Sequence, residues 1–248
     1  MLIKRYSIIF QAVLTIFLLS CSKDKVTPED VIAGNNSCLA GHGVYKSFNE
    51  NESYDYFYDA DGRVIKIKNN SFGIETSYTY SASEIIVNEP NNIQSYKLDE
   101  KGRIKVKTSN KGENIEYSYN VEGYLAEVKY VDNRNSNLNI VEKYSYLNGN
   151  LTSYQINDGK AIIIEYGSEP AVENFFIYEK KINLPFVLYS PLKRYFGKLS
   201  KNLPSQKKIS SGAETYSYVK DVDGNVNKLV VKSTDGIDFT IEKNYSCK

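Results

Sequence analysis

The chain has 248 residues, of which 41% are hydrophobic and 25% charged, which is enough apolar material for one large β domain or two small ones. Its 31 basic and 30 acidic residues nearly cancel, so no global field favours a nucleic acid or an anionic surface as partner. A single histidine excludes a multi-histidine metal site, while tyrosine is unusually frequent, with 22 residues and no tryptophan.

The N-terminus predicts an export signal. Lys4 and Arg5 precede an uncharged, mostly apolar run over residues 6–19, which is too short to cross a bilayer comfortably. The run ends in Ser20 and Cys21, an order that resembles the bacterial lipobox, in which the cysteine is acylated. We therefore predict a lipoprotein signal peptide over residues 1–20 and lipid attachment at Cys21. The alternative is an ordinary signal peptide with a chance cysteine.

A polar stretch follows the signal. Residues 21–36 are rich in turn formers and predict a tether between the membrane and a single β domain over residues 37–248. Residue 22 is Ser rather than Asp, which by resemblance to lipoprotein sorting rules favours the outer membrane. Lys23-Asp24-Lys25 is only a weak match to the acidic surface-export signals of Bacteroidota lipoproteins. The expected location is therefore the outer membrane, with the periplasmic face and the cell surface both left open.

Two further cysteines, Cys38 and Cys247, lie at the two ends of the expected domain. In an oxidising compartment such a pair favours a disulfide that would tie the first strand to the last. The alternative is two free buried thiols.

A four-residue pattern with Asp or Asn first and Gly fourth recurs along the chain. This pattern is typical of a turn in which the first side chain caps the backbone and glycine adopts a left-handed conformation. It occurs at residues 59–62, 99–102, 120–123 and 221–224, and a tighter Asn-Gly turn is predicted at Asn148-Gly149. The alternative for Asp59/Asp61 and Asp221/Asp223 is a calcium site, but an apolar strand follows each turn.

Aromatic residues spaced by two precede these turns, and alternating apolar residues follow them, so each unit predicts a β-hairpin. Tyr56 and Tyr58 before Val64 and Ile67 are one example. Short connections predict an all-β, antiparallel meander of about a dozen strands, curled into a barrel or half-barrel. The tyrosines would pack across strands; the alternative is an aromatic platform for sugars or peptides.

Residues 180–208 break the pattern with Pro185, Pro191 and Pro204, which argue against central strands. We predict a short helical and loop insertion near residues 184–205. Its apolar side chains would plug the concave face or the barrel mouth, and its lysines would point outward as a cluster. The apolar residues are Leu184, Phe186, Val187, Leu188, Leu192 and Phe196. The basic residues predicted to contact an anionic glycan or lipid headgroup are Lys193, Arg194, Lys198 and Lys201. The alternative is a solvated helix face.

The hairpin unit, with Tyr-Asp strand ends and a Gly turn, resembles the YD repeat of RHS-type proteins. With the lipobox and the late segment Tyr195–Ser205, residues 40–248 resemble a family of uncharacterised Bacteroidota lipoproteins with a porin-like fold. The resemblance implies a fold and a location, and it supplies no catalytic residues to transfer.

No nucleophile motif, phosphate-binding glycine loop or dinucleotide motif occurs, and His42 is predicted to lie in a turn. We therefore predict a non-enzymatic, lipid-anchored envelope protein without metal, cofactor or nucleic-acid partner, acting as a binding or structural module. The alternative is a carbohydrate-active hydrolase that uses two carboxylates in the concave face. The sequence leaves the oligomeric state open.

Overall fold

A computed structural model describes residues 38–131, 140–172, 174–177, 185–236 and 238–247. The predicted signal peptide, Cys21 and the predicted tether over residues 21–36 lie outside these residues. So does Leu184, and the side chains of Phe186 and Val187 are not described either.

The described residues form one closed antiparallel barrel of 16 strands, in which every strand pairs with its neighbours along the chain and β1 pairs with β16. The all-β meander is therefore confirmed, and of the two predicted forms the chain adopts the barrel, with more strands than the predicted dozen. The strands are β1 Cys38–Ser47, β2 Asn51–Tyr58, β3 Val64–Asn69, β4 Ile74–Tyr80, β5 Glu84–Glu89, β6 Asn92–Leu98, β7 Ile104–Ser109, β8 Asn114–Tyr119, β9 Leu125–Tyr130, β10 Ile140–Leu147, β11 Asn150–Ile156, β12 Ile162–Pro170, β13 Asn202–Ile209, β14 Gly212–Lys220, β15 Val226–Ser233 and β16 Phe239–Cys247.

The seam between β1 and β16 closes the barrel. Its register runs from Cys38 opposite Cys247 to Ser47 opposite Phe239. A disulfide joins Cys38 and Cys247 at the end of this seam, with their Cα atoms 3.9 Å apart. The covalent bond and the strand pairing thus fix the same two chain ends together.

The recurring Asp/Asn–Gly turns have the expected local geometry. Gly62, Gly102 and Gly224 have φ angles of 72°, 74° and 83°, so their left-handed conformation is confirmed. In the first turn, Oδ1 of Asp59 accepts hydrogen bonds from the backbone N–H groups of Asp61 and Arg63, at 3.0 and 2.9 Å. This is the expected turn cap, in which the carboxylate satisfies backbone donors.

Each of these turns also introduces a bulge. The register shifts at Tyr58, Leu98, Tyr119 and Lys220, at the last strand residue before each turn. A bulge increases the local twist of a strand pair, which helps a wide sheet to curl and close. The repeated turn therefore contributes to barrel closure as well as to strand reversal.

Side chains alternate between the inside and the outside of the barrel. In β4, Thr76 and Tyr78 are buried, whereas Ser77 and Thr79 are on the outer face. Tyrosine and branched aliphatic residues fill the interior, and lysine, glutamate, serine and threonine predominate outside.

All connections from an even-numbered to the next odd-numbered strand lie at one end of a meander barrel. We call this the plugged end. It carries the four Asp/Asn–Gly turns, both chain ends of the barrel and the segment between β12 and β13. In that segment α1 spans Phe186–Tyr189 and a 3-10 helix spans Lys193–Tyr195, which confirms short helices there.

The predicted insertion extends too far toward the C-terminus. Residues 202–205 belong to β13, and Pro204 lies within it, opposite Tyr166. The register between β12 and β13 shifts at Tyr166, and such irregularities are where a sheet accepts proline.

Candidate functional site

The described residues between β12 and β13, 171–172, 174–177 and 185–201, pack into the interior at the plugged end. Their aromatic rings contact strands on different sides of the barrel: Phe176 with Tyr56, Tyr195 with Tyr80, Phe196 with Tyr117, and Phe175 with Tyr218, at centroid distances of 5.1, 5.9, 5.3 and 6.3 Å. Leu192 and Phe196 are buried, and Leu188 packs against the core. The interior-filling role predicted for these three residues agrees with the structure.

Lys193 does not point outward as predicted. Its side chain is buried, and its Nζ donates hydrogen bonds to the carbonyl oxygens of Val172 and Phe175, at 2.9 and 2.6 Å. The ammonium therefore joins two parts of the same segment inside the barrel. Which face of one short helical turn points inward depends on tertiary packing, and composition carries no indication of it.

The remaining predicted basic residues are at separate turns. The backbone N–H of Lys198 donates to the carbonyl of Gly123 in the β8–β9 turn, and that of Lys201 donates to Gly149 in the β10–β11 turn, each at 3.0 Å. Arg194 instead lines a cleft beside the β2–β3 turn. Lys193 is therefore not part of an outward cluster, whereas Arg194, Lys198 and Lys201 lie beside three different turns of the plugged end.

The cleft beside the β2–β3 turn is small and partly open to solvent. Two arginines, Arg63 and Arg194, contribute to its wall together with the ring of Tyr195 and the side chain of Ser190. The rest of the lining is Tyr58, Gly62, Val64, Tyr80, Asn174, Phe176, Pro191 and Lys193. Sequence reasoning missed Arg63 because its partner Arg194 is 131 positions away in the chain.

Arg63 is held in place by the turn that precedes it. Its Nε donates to Oδ2 of Asp59 at 2.6 Å, its guanidinium lies 4.8 Å from the ring centroid of Tyr80, and its Nη2 is 3.1 Å from Oδ2 of Asp61. Burial opposes ionisation of Asp59, but the hydrogen bonds from Arg63 outweigh it and hold the pKa of this carboxyl below its usual value.

Tyr195 lies close to both guanidinium groups. Burial raises the pKa of its hydroxyl, and the positive charges of Arg194 and Arg63 oppose that rise. The ring is stacked on Tyr80, with an interplanar angle of 24°. The cleft therefore combines two cations with a half-buried aromatic ring.

The β6–β7 turn repeats half of this arrangement. Nε of Arg103 donates to Asp99 at 2.8 Å, and its guanidinium lies 4.1 Å from the ring centroid of Tyr119. No second arginine lines the equivalent position in the part of the chain that the structure describes. Arg103 is thus a natural control for Arg63.

A recurring tyrosine hydrogen bond explains part of the tyrosine spacing. The hydroxyl at the end of an even-numbered strand donates to a backbone carbonyl near the start of the preceding strand. The pairs are Tyr58 with Ala40, Tyr80 with Val64, Tyr119 with Ile104, Tyr218 with Pro204 and Tyr245 with Val226, at 2.6–3.0 Å. These five tyrosines therefore have a structural role. For them, the structure supports packing across strands rather than an aromatic platform for sugars or peptides.

A second repeat, Glu-x-Tyr, escaped the sequence reasoning. In β14 the hydroxyl of Tyr216 donates to Glu214 at 2.6 Å, and the same pair occurs as Tyr54 with Glu52 and Tyr144 with Glu142. Glu214 also pairs with the buried Lys207 at 2.9 Å. The signal was available, since a glutamate stands two residues before a strand tyrosine in each case.

Two other side chains differ from expectation or were not anticipated. His42 lies in β1, not in a turn, and its Nδ1 is 2.8 Å from Oδ1 of Asp55 on β2. Lys243 is buried, with Nζ 3.1 Å from the hydroxyl of Tyr56 and 4.2 Å from the ring centroids of Tyr56 and Phe176. Lys243 therefore links β16 to Phe176 in the segment between β12 and β13.

Two solved structures share the fold. A porin-like protein from Bacteroides uniformis aligns with a TM-score of 0.63 at 14% identity, over 84% of this chain and 96% of that one. A porin-like protein from Bacteroides vulgatus aligns with a TM-score of 0.57 at 13% identity, over 84% and 98% of the two chains. No family model and no curated protein matches the sequence. Among the described residues, no helix is long and apolar enough to cross a membrane.

Proposed function

We propose that the protein is a non-enzymatic envelope module: a plugged barrel that stands in water and is held at the outer membrane by lipid on Cys21. The observation that carries this proposal is the chemistry of the outer barrel face. The shared fold with the two porin-like proteins supports an envelope location.

Oppositely charged residues face each other on the outside of the barrel. We call them the charge belt. The belt consists of Asp55, Lys68 and Glu75 on β2–β4, Glu116, Glu127, Lys129 and Lys143 on β8–β10, Glu165 and Lys208 on β12–β13, and Lys228, Glu242 and Lys46 on β15, β16 and β1. Outward apolar residues are interspersed with lysines: Phe57, Ile163 and Val219 stand directly opposite Lys66, Lys208 and Lys228.

A barrel that spans a bilayer has the opposite pattern. It presents an apolar band to lipid and a polar interior, and a lysine or arginine on the lipid face costs about 2–4 kcal/mol near the midplane. The charge belt would bring several such costs together. In water the same pairs are well hydrated, so the observed pattern favours an aqueous environment for the outer face.

The interior supports a module that does not conduct. Tyrosine and aliphatic side chains fill it, and the described part of the segment between β12 and β13 packs into it at the plugged end. Lys193 joins two parts of that segment through hydrogen bonds to the carbonyl oxygens of Val172 and Phe175. Lys243, on the barrel wall, contacts the ring of Phe176 in the same segment. A channel would need this packed region to be displaced.

The hydrolase alternative gains no support from the described residues. Three interior carboxylates, Glu52, Glu142 and Glu214, each accept a tyrosine hydroxyl, and Glu214 is also paired with Lys207. A fourth, Glu89, accepts hydrogen bonds from the side-chain amides of Asn92 and Gln94. These carboxylates have partners within the barrel wall and therefore contribute to its structure.

The lipid anchor and the barrel can be separated experimentally. The native chain is compared with a Cys21→Ala chain that carries an ordinary cleavable signal in place of residues 1–20, and membranes are washed with alkaline carbonate. We expect the native chain to incorporate labelled fatty acid and stay in the membrane pellet, whereas the Cys21→Ala chain is released in folded form. Retention of the unlabelled Cys21→Ala chain, or stepwise conductance of the purified protein in planar bilayers, would contradict the proposal.

A further inference from the structure

The cleft beside the β2–β3 turn has the features of a ligand site. Arg63 and Arg194 reach it from different elements, one from the barrel wall and one from the segment between β12 and β13. Guanidinium groups bind carboxylates and phosphates through paired N–H donors, and two of them together favour an oxyanion over a neutral group.

The structure already contains a carboxylate on one of these guanidiniums. Oδ2 of Asp61 is 3.1 Å from Nη2 of Arg63, while Asp59 holds Nε on the other edge. The Asp61 side chain is 71% exposed, and an exposed ion pair of this kind contributes little. An arriving oxyanion can therefore replace Asp61 on Nη2 without disturbing the turn that Asp59 fixes.

The remaining lining is suited to a sugar. The Tyr195 ring, which is stacked on Tyr80 by one face, is only half-buried and offers an apolar surface with a polar edge. The side chains of Ser190 and Asn174 carry hydrogen-bonding groups. We propose that this cleft binds an acidic sugar, with its carboxylate or phosphate between Arg63 and Arg194 and its ring against Tyr195. The inference goes beyond the proposed function and does not depend on where the barrel stands.

The test uses the full chain purified in detergent and ligand-observed NMR titrations. The probes are glucuronate, glucose 6-phosphate, glucose and inorganic phosphate. We expect at least one acidic sugar to bind about tenfold more tightly than glucose, because a charged hydrogen bond is worth roughly one such factor or more. Whichever of the two acidic sugars binds more tightly identifies the oxyanion as a carboxylate or a phosphate.

The variants assign the binding to the cleft. Arg63→Gln and Arg194→Gln should each weaken binding about tenfold, and Asp61→Asn should strengthen it on the order of threefold, since it removes a competing carboxylate. Arg103→Gln is the matched control: it removes the same ion pair and ring contact from the sister turn and should leave binding unchanged. If Arg63→Gln does not fold, Arg194→Gln and Asp61→Asn still carry the test.

Three results would overturn the inference. They are binding of glucose as tight as that of both acidic sugars, binding of inorganic phosphate as tight as theirs, and a loss of affinity in Arg103→Gln equal to that in Arg194→Gln. Because the titrations use purified chain in detergent, their outcome is separate from that of the Cys21 experiment.

Discussion

The hydroxyl of Tyr245 on β16 donates a hydrogen bond of 3.0 Å to the carbonyl oxygen of Val226, the first residue of β15. Tyr245→Phe should lower the free energy of unfolding by about 1–2 kcal/mol, because the partly buried carbonyl loses its tyrosine partner. The control is Tyr130→Phe, which should cost less because its hydroxyl donates a longer hydrogen bond of 3.2 Å to Glu142, a carboxylate that also accepts the hydroxyl of Tyr144. If urea denaturation gives the same loss of unfolding free energy for Tyr245→Phe and for the control, the hydrogen bond to the backbone carbonyl has no special role.

Lys193 should matter for stability, whereas Lys198 should not. Lys193→Met keeps the apolar stem but leaves the carbonyls of Val172 and Phe175 without the ammonium, so we expect a loss of about 2–3 kcal/mol. Lys198 is exposed, and Lys198→Met should change stability by less than about 0.5 kcal/mol. Denaturant midpoints of the two variants measure the difference. An unchanged denaturant midpoint for Lys193→Met would show that the hydrogen bonds of the Lys193 ammonium do not stabilise the fold.

Substitution of Gly102 measures how much free energy a residue with a Cβ loses at the left-handed position of the recurring turn. The φ angle of Gly102 is 74°, and no other atom lies within 4 Å of the point that a Cβ would occupy, so Gly102→Ala tests conformation without a clash. We expect a loss of about 1 kcal/mol for alanine and a smaller loss for asparagine, which tolerates the left-handed region. Gly41→Ala, at a glycine outside that region, should be close to neutral. Thermal melts of the three variants provide the comparison, and equal losses for Gly102→Ala and Gly41→Ala would contradict it.

The buried tyrosines should make the protein sensitive to alkali. Burial raises the pKa of Tyr154 to about 12, and it also raises the pKa of Tyr58 and Tyr119 well above the usual value. In the unfolded chain a tyrosine ionises near pH 10, so the stability from these groups is complete below about pH 10 and is lost as the pH rises above it. Phenolate absorbance should therefore appear together with the loss of circular dichroism. Ionisation of most tyrosines near pH 10 in an intact barrel would be inconsistent with their burial.

The Cys38–Cys247 bond should contribute strongly to stability, since it closes a sequence separation of 209 residues. The chain-entropy model predicts a loss of about 5 kcal/mol for Cys38→Ser with Cys247→Ser, because the unfolded chain regains the freedom that the bond removes. Chemical denaturation with and without reductant should give the same difference for the wild-type chain. No change on reduction would indicate that the β1–β16 pairing alone holds the seam.

Local features were the most predictable part of this molecule. The Asp59–Gly62 and Asp99–Gly102 turns follow from short-range chemistry, and the structure has them where the spacing indicates. β13 is one strand that the sequence did not indicate, because it contains Pro204 and many polar residues and only pairing with β12 and β14 makes it a strand. A closed barrel, rather than a half-barrel, depends on the pairing of β1 with β16, which no local window contains.

The candidate site was predicted less well, because it too depends on contacts between residues that are far apart in the chain. The basic residues of the segment between β12 and β13 were recognised, but their directions are set by contacts with distant strands. Lys193 points inward because Val172 and Phe175 offer carbonyl groups there, and Arg194 becomes part of a cleft only through Arg63. A single sequence shows the charges, whereas the fold decides which of them meet.

The pairing of the first strand with the last has a consequence for how the chain is made. Until β16 is available, β1 has only β2 as a neighbour, and its other edge exposes unpaired backbone groups. These contacts join residues more than 190 positions apart, so the closing step waits until the whole chain has been made. During that interval the open sheet can pair with another chain, so folding should depend on chaperones that cover β1, and truncation before β16 should leave an aggregating product.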